Sequence, residues 1–385
     1  MTSATGRPPE DPPGTTYLDA VSTEPLHPAA RETLLAALDQ GYADPLRLHH
    51  PGRRARLLLD NAREVLAGLL GVRPDELSLT GSGTTAVHLG VLGLLQGRRR
   101  TSRRLLHSAV EHSAVMAAGG WWAEHFEGRA EPVPVDEHGR VRLDALAGAL
   151  QQPSGVVAVQ VANPEVGTLQ PLADVAALAA ARDVPLFADA AASTGRADLP
   201  DGWSAAAASA HKWGGPAGVG VLLVRKGARW RAPFPTDDRT DQRVAGFENV
   251  PAALAAAAAL QAVVAERDEV DARRRALVDR VRAEVARIPD VEVAGHPEQR
   301  LPHVVTFSCL YVDGEALVTE LDRRGFAVAS GSACTASRLE PSHVLAAMGR
   351  LTHGNVRVSL GRSTTAEDVE RLLAVLPGVV ADLRA

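Results

Sequence analysis

Short apolar segments that alternate with amphipathic helical patterns are the feature that most constrains the fold of this 385-residue chain. Apolar runs rich in Val, Ala and Leu predict buried strands, and the 3.6-residue periodicity between them predicts helices. The predicted strands are residues 76–80, 104–107, 156–161, 185–188, 205–209 and 219–224. The predicted helices are residues 28–40, 54–70, 84–95, 113–125 and 171–182. This alternation predicts an α/β fold with a mostly parallel sheet covered on both faces.

Polar residues follow two of these predicted strands, and in folds of this kind ligands bind beyond the carboxyl ends of the strands. The segment Gly-Ser-Gly-Thr-Thr at 81–85 joins a strand to a helix. Its backbone N–H groups and hydroxyls are suited to holding a phosphate, although a tight connection alone would also account for it. Asp189 directly follows the apolar strand 185–188. This carboxylate is either a helix cap or the partner of a cofactor's pyridinium nitrogen.

The chain contains two lysines, Lys212 and Lys226, among its 41 basic residues. Lys212 follows His211 and precedes a glycine-rich turn that leads into the apolar strand 219–224. Unlike the guanidinium of arginine, the amine of lysine can lose its proton and form a Schiff base. The alternative is a surface lysine before a turn. We interpret Lys212 as the residue that forms a Schiff base with pyridoxal 5'-phosphate (PLP).

The C-terminal third repeats the alternation of strand and helix patterns after a long alanine-rich and then charged helical pattern that begins near residue 252. This change predicts a second, smaller α/β domain. We therefore predict a flexible polar tail at 1–16, a large PLP-binding domain at 17–255 and a small domain at 256–385, which contains a mobile cysteine loop.

The two cysteines, Cys309 and Cys334, are too few for a disulfide framework and differ in their surroundings. Cys334 lies among small and polar residues at 330–337. That setting favours an accessible, reactive thiol over an incidental loop cysteine. Cys309 lies in an apolar strand pattern at 304–310, which favours a buried structural thiol.

Charge and hydropathy exclude several classes of partner. The net charge of −5 gives no electrostatic reason to expect nucleic acid or an anionic membrane as a partner. The sequence contains no run of about eighteen apolar residues, so we expect no membrane-spanning helix. The first sixteen residues are polar and lack the apolar core of a signal peptide, which predicts a cytoplasmic protein.

Together, the lysine and cysteine motifs resemble those of PLP-dependent cysteine desulfurases, in the group I branch of iron–sulfur cluster and nitrogenase maturation within the class V aminotransferase family. The C-terminal part of the resemblance lies at 330–335, 339–345 and 356–362. Upstream it recurs, in order, at 17–25, 44–55, 80–89, 111–115, 163–171, 189–193, 209–220 and 248–251. It therefore covers essentially the whole chain after residue 16.

The resemblance implies a homodimer of PLP fold type I, the aspartate aminotransferase-like fold. The implied reaction converts L-cysteine to L-alanine and passes the sulfur, as a persulfide on Cys334, to an acceptor protein. Lys212 would form the Schiff base and then move protons. His112 would stack on the cofactor ring and take part in acid–base chemistry.

The resemblance also implies the remaining binding residues. Asp189 would hold the pyridinium nitrogen of PLP, and Arg357 would bind the substrate carboxylate through its planar guanidinium. Further PLP contacts, mainly to the phosphate, are assigned to Gly83, Thr84, Asn163, Ser209 and His211.

Three positions depart from the family pattern by losing a polar contact to PLP: Pro164, Ala192 and Phe247. They predict weaker retention of PLP or an altered absorption maximum. Ala192 and Phe247 also keep open a PLP-dependent C–S lyase, or another class V enzyme acting on a different sulfur amino acid. A non-enzymatic homologue is the third alternative, and the presence of Lys212 with Cys334 argues against it. The sulfur acceptor, its pathway and the use of selenocysteine stay open.

Overall fold

The computed structural model describes residues 14–40, 43–237, 241–330 and 341–385. Within these residues, seven strands form a sheet in the order β2-β8-β7-β6-β5-β3-β4. The strands are β2 (Leu77–Thr80), β3 (Arg104–Ser108), β4 (Arg129–Val133), β5 (Val156–Gln160), β6 (Leu186–Asp189), β7 (Ala205–Ser209) and β8 (Gly220–Val224). Strand β8 is antiparallel to both its neighbours, and the other pairs are parallel. The prediction of a mostly parallel sheet is confirmed.

Helices cover both faces of this sheet. They are α1 (Pro28–Gln40), α2 (His50–Leu69), α3 (Gly83–Arg98), α4 (Ser113–Phe126), α5 (Leu143–Ala149) and α6 (Leu172–Ala180). Strands β5, β6 and β7 are buried along their whole length, as expected of strands packed on both faces. Their alanine- and valine-rich sequences therefore follow from the layer architecture.

Strand β4 is not among the strands that the apolar pattern predicts. Its sequence Arg-Ala-Glu-Pro-Val contains two charges and a proline, and it pairs only with β3 at the edge of the sheet. An edge strand tolerates proline and charge because one of its sides forms no ladder. The short helix α5 and strand β9 (Val291–Ala294) are likewise absent from the predicted elements.

The C-terminal part has its own sheet and its own apolar core. Strands β10 (Val304–Cys309) and β12 (Asn355–Ser359) pair with each other, and β9 pairs with β10, all antiparallel. Helices α8 (Gly314–Arg323), α9 (His343–Ala347) and α10 (Ala366–Arg384) belong to the same part. A short parallel pair joins β1 (Thr16–Tyr17) to β11 (Phe326–Ala327). The N-terminal strand β1 therefore lies against the C-terminal part. The domain boundaries at 16/17 and 255/256 stay a prediction.

Helix α7 (Val250–Val285) connects the two cores. Its first residues pack into the main core, and Val278, Val281 and Val285 pack into the C-terminal core. Among the described residues, it is the one helix whose length and composition would allow it to cross a membrane, and half of its most apolar window is buried in the protein. Such burial is typical of a core helix.

Candidate active site

Seven of the residues singled out from the sequence gather at one edge of the large sheet. Strands β2, β3, β5, β6 and β7 point in the same direction, so their carboxyl ends meet there. In the register of the sheet, Gln160 is opposite Asp189, and Asp189 is opposite Ala207. This edge is where ligands bind in open α/β sheets.

A cavity of about 190 Å³ opens at this edge. That volume far exceeds what one water molecule needs, and it suits a small organic ligand. The wall includes seven residues predicted from the sequence: Gly83, Thr84, His112, Asp189, Ser209, His211 and Lys212. Pro164 and Ala192, two of the three departures from the family pattern, also line it.

One part of the cavity presents groups whose chemistry suits an anion. Helix α3 begins there, capped by Ser82, whose Oγ accepts a hydrogen bond from the Thr85 N–H at 3.0 Å. Across from it, the Ser209 Oγ lies 3.1 Å from the Nδ1 of His211. A Cβ placed on Gly83 would lie 2.6 Å from the Cβ of Ser209, so only glycine allows this approach. The helix N-terminus, the hydroxyl and the imidazole together fit a phosphate.

A buried carboxyl group also lines the cavity. Asp189 is 6% exposed, and its Oδ1 accepts a hydrogen bond from the Ala191 N–H at 2.9 Å. Burial raises the pKa of Asp189, against the opposing effects of His112 and Lys212. A carboxylate in this position is stabilised by a cationic N–H donor, which is what a pyridinium nitrogen supplies.

His112 stands beside this carboxyl as the N-cap of α4. Its Nδ1 accepts a hydrogen bond from the Ala114 N–H at 3.1 Å, which leaves the proton of the neutral ring on Nε2. Burial lowers the pKa of His112, the Asp189 carboxylate opposes this, and Lys212 and His343 act in the same direction as burial. The hydrogen bond from Ala114 fixes the tautomer of the neutral ring at the cavity wall.

Lys212 reaches the cavity from the short 3₁₀ turn Ala210–Lys212 that follows β7. Its Nζ donates a hydrogen bond to the Val21 carbonyl at 2.7 Å. Burial, followed by the neighbouring Lys212 charge, lowers the pKa of His211. The residues expected to bind a phosphate and to form a Schiff base thus lie next to each other on one turn.

Arg357 and Asn163 are placed differently from the cavity residues. Arg357, on β12, is 1% exposed and donates from Nη2 to the Asp19 carboxylate at 2.9 Å and to the Ser22 hydroxyl at 2.6 Å. Its Nη1 contacts the Pro164 carbonyl at 3.3 Å, which places the guanidinium directly behind the cavity wall.

The side chain of Asn163 braces a turn and does not line the cavity. Its Nδ2 donates to the Val110 carbonyl at 3.1 Å, and its Oδ1 accepts from the backbone N–H groups of Glu165 and Val166 at 2.8 Å. Both ends of the amide are occupied by backbone groups. A PLP contact of Asn163 therefore stays a prediction, because neither end of its side-chain amide is turned to the cavity.

The two cysteines and Phe247 complete the predicted set. Cys334 lies outside the described residues. Cys309 is fully buried in β10, and burial raises the pKa of its thiol to about 11, so the prediction of a structural cysteine is confirmed. Phe247 is half-exposed on the surface.

Two buried residues near the cavity were not assigned a role from the sequence. Gln160 lines the cavity at the end of β5, donates from Nε2 to the Val110 carbonyl at 2.7 Å, and has a buried Oε1 without a hydrogen-bond partner among the described residues. Glu111 accepts a hydrogen bond from the Gln160 N–H at 2.8 Å, and burial raises its pKa well above the ordinary value. Both follow or end apolar strands, the same signal that identified Asp189.

Comparison with known proteins agrees with this geometry. Residues 16–372 match the family model described as aminotransferase class V. The chain is 38% identical to an IscS-like cysteine desulfurase of Mycobacterium tuberculosis, over 96% of this chain and 97% of that protein. It is 34% identical to the cysteine desulfurase NifS of Azotobacter vinelandii, over 96% and 93%.

Among solved structures, a NifS-like protein superposes with a TM-score of 0.88 at 26% identity, covering 96% of this chain and all of that one. The matched residues include both the cavity and the C-terminal part, so the likeness is not confined to one motif. The chain therefore belongs to the class V aminotransferase family, among the IscS and NifS cysteine desulfurases.

Proposed function

We propose that this protein is a PLP-dependent cysteine desulfurase that converts L-cysteine to L-alanine. The observation that carries the proposal is the convergence of Lys212, Asp189 and His112 on one cavity that also has an anion-binding end. A Schiff-base lysine, a buried carboxylate and a neutral histidine around a phosphate cradle are the groups that PLP chemistry needs.

The donor set fits PLP at both ends of the molecule. The start of α3, Ser209 and His211 would hold its phosphate, and Asp189 would hold its ring nitrogen. When bound, PLP withdraws electrons from the α-carbon of the substrate. We assign Thr84 and Gly83 to the phosphate as well. A PLP contact of Asn163 stays a prediction, because both ends of its side-chain amide bind backbone groups.

Four side chains of the protein would have separate roles in the reaction. Lys212 would take and return the proton at the substrate α-carbon, and His112 would exchange a proton from Nε2. Arg357 would hold the substrate carboxylate from behind Pro164. In the transfer step, the Cys334 thiolate attacks the substrate sulfur and the Cβ–S bond breaks. Its electron pair stays on carbon, which is protonated, and the persulfide remains on Cys334.

The test is product analysis of the PLP-loaded protein with L-cysteine and a reducing acceptor. Native protein should form alanine, and Cys334→Ala should form almost none. Cys309→Ala is the matched control, since Cys309 is buried in the C-terminal core, and it should keep alanine formation. Pyruvate from both native protein and Cys334→Ala, or no turnover of cysteine, would contradict the proposal.

A second candidate is a PLP-dependent C–S lyase that acts on another sulfur amino acid. The cavity wall carries Ala192 and Pro164, neither of which offers a side-chain hydrogen bond to a ligand. A pocket that lacks these contacts would hold a different substrate pose. Formation of pyruvate and ammonia from a panel of sulfur amino acids, in place of alanine from cysteine, would support this candidate.

We infer a homodimer in the cytoplasm that passes sulfur to an acceptor protein whose identity is open. The described surface exposes several large apolar side chains in its N-terminal helical region: Leu35, Leu38, Leu46, Leu48 and Leu57. A second copy of the chain would cover such residues, and Phe247 would also lie at that interface. Light scattering of the purified protein should give twice the chain mass of 40.5 kDa, and a monomer would contradict the inference.

A further inference from the structure

A buried charge cluster centred on Glu24 lies directly behind Lys212. Glu24 is 6% exposed, and its carboxylate receives three hydrogen bonds. Arg196 Nη2 donates to Oε2 at 2.6 Å, Arg274 Nη2 donates to Oε1 at 2.8 Å, and the Arg362 N–H donates to Oε1 at 2.8 Å. Both guanidinium groups of this cluster are themselves buried.

The cluster holds the main chain of the lysine turn at two points. Arg196 donates from Nη1 to the Lys212 carbonyl at 2.6 Å. The Glu24 N–H donates to the His211 carbonyl at 2.9 Å. Since Glu24 and Arg196 also pair with each other, they close a ring of hydrogen bonds around the backbone from which the Lys212 side chain extends.

The cluster also sets the charge behind the cavity. After burial, the largest effects on the pKa of the fully buried His303 are those of four cations, Arg196, Arg274, Arg357 and Lys212, all of which lower it. These cations therefore share one neighbourhood, in which the Glu24 carboxylate neutralises two of them. Buried ion pairs are poor sources of net stability, so an apolar replacement would serve a purely structural purpose equally well.

We propose that Glu24 and Arg196 are positioning residues for Lys212, fixing the turn that carries it and balancing the charge around its amine. The inference rests on the proposed PLP chemistry of Lys212 and adds two residues to it. The other titratable groups that face Lys212 are His112 and Asp189 at the cavity, His211 beside it and His303 behind it. Each of these is left intact in the experiment below.

The experiment compares Glu24→Gln with Arg196→Gln, because both break the same ion pair while changing the charge in opposite directions. In PLP-loaded protein, the cofactor absorption band titrates with the protonation of the nitrogen contributed by Lys212. Glu24→Gln removes an anion and should lower the midpoint pH of this titration by about half a unit or more. Arg196→Gln removes a cation and should raise the midpoint by a similar amount. Arg196→Lys keeps the charge and should return the midpoint towards the native value.

The matched control is the Arg104–Glu131 ion pair at 2.5 Å, where β3 begins, at the sheet edge opposite the cavity. Arg104→Gln and Glu131→Gln should leave the midpoint unchanged, although they also break a partly buried pair. Circular dichroism and melting temperature show that each variant is folded. If Glu24→Gln does not fold, Arg196→Gln and Arg196→Lys still test the direction of the shift.

Shifts of the same sign in both cluster variants, or no shift in either, would overturn the inference and leave the proposed function intact. That result would mean that the cluster only stabilises the fold. If the native protein forms no titrating cofactor band at Lys212, the proposed function fails, and this inference fails with it.

Discussion

Replacing Gly83 by alanine tests the phosphate end of the cavity through one added carbon atom. The new Cβ would lie 2.6 Å from the Cβ of Ser209 and 2.9 Å from its Oγ, closer than non-bonded atoms normally approach. Ser209 is 3% exposed at the end of β7 and cannot simply turn away. Either the start of α3 or the end of β7 must shift, and the Ser209 hydroxyl moves relative to His211.

The size of the effect follows from overpacking. Inserting a methyl group into a close-packed contact costs about 1–3 kcal/mol. If this cost falls on the form that holds PLP, the dissociation constant rises by about 5- to 150-fold. Stability of the protein without PLP should fall by less, because alanine lowers the entropy of the unfolded chain and thereby returns about 0.4–1 kcal/mol.

Gly81 provides a matched control two residues earlier on the same turn, since a Cβ there meets no described atom within 4 Å. PLP added to the apoprotein and followed by absorbance gives the dissociation constant, and urea unfolding gives the stability. We expect Gly83→Ala to lose affinity and Gly81→Ala to stay near the native value. Equal affinities in the two variants would refute the assignment of this turn to the phosphate.

Two further predictions concern the departures and the pH dependence. Ala192→Gln places an amide at the cavity wall and should tighten PLP binding by about 2- to 12-fold. That factor corresponds to one hydrogen bond of about 0.5–1.5 kcal/mol. Unchanged or weaker binding in the same PLP titration would show that no hydrogen bond is missing at this position. Burial raises the pKa of Glu165 from 4.5 to about 7, although Ser342 and Arg357 oppose this. The native state therefore holds a proton that the unfolded state releases, so the stability from this group is complete below pH 4.5 and is lost as the pH rises through 7. Urea unfolding should show a loss of about 3 kcal/mol between pH 4.5 and 8 that Glu165→Gln lacks, and parallel pH profiles of the two proteins would contradict this.

The strands that could be predicted from the sequence are those whose burial on both faces requires a continuous run of apolar residues. Strands β5, β6 and β7 are covered by helices on both faces, so each is an uninterrupted apolar run. Strand β4 is partly exposed, charged and interrupted by proline, and only its pairing with β3 makes it a strand. Pairing with a distant neighbour leaves no periodic signal in the sequence of an edge strand.

The same limit separates the predicted from the unpredicted parts of the active site. Asp189 could be identified because it ends an apolar strand, and Lys212 because lysine is so rare in this chain. Glu24 offers no such signal. Its partners Arg196 and Arg274 are 172 and 250 positions away, and in an arginine-rich chain neither of them stands out. Such contacts can be identified only from the folded structure, in which the N-terminal segment lies behind the cavity.

That N-terminal segment, residues 19–24, connects the two ends of the proposed chemistry. The Val21 carbonyl accepts from the Lys212 amine, and Asp19 and Ser22 both accept from Nη2 of Arg357. A further contact of that guanidinium joins Nη1 to the neutral Pro164 carbonyl at 3.3 Å. A substrate carboxylate would make a stronger, charge-assisted bond to the guanidinium than this carbonyl does. Since one short piece of main chain contacts both side chains, the amine proposed to move the proton and the guanidinium proposed to hold the substrate are fixed relative to each other.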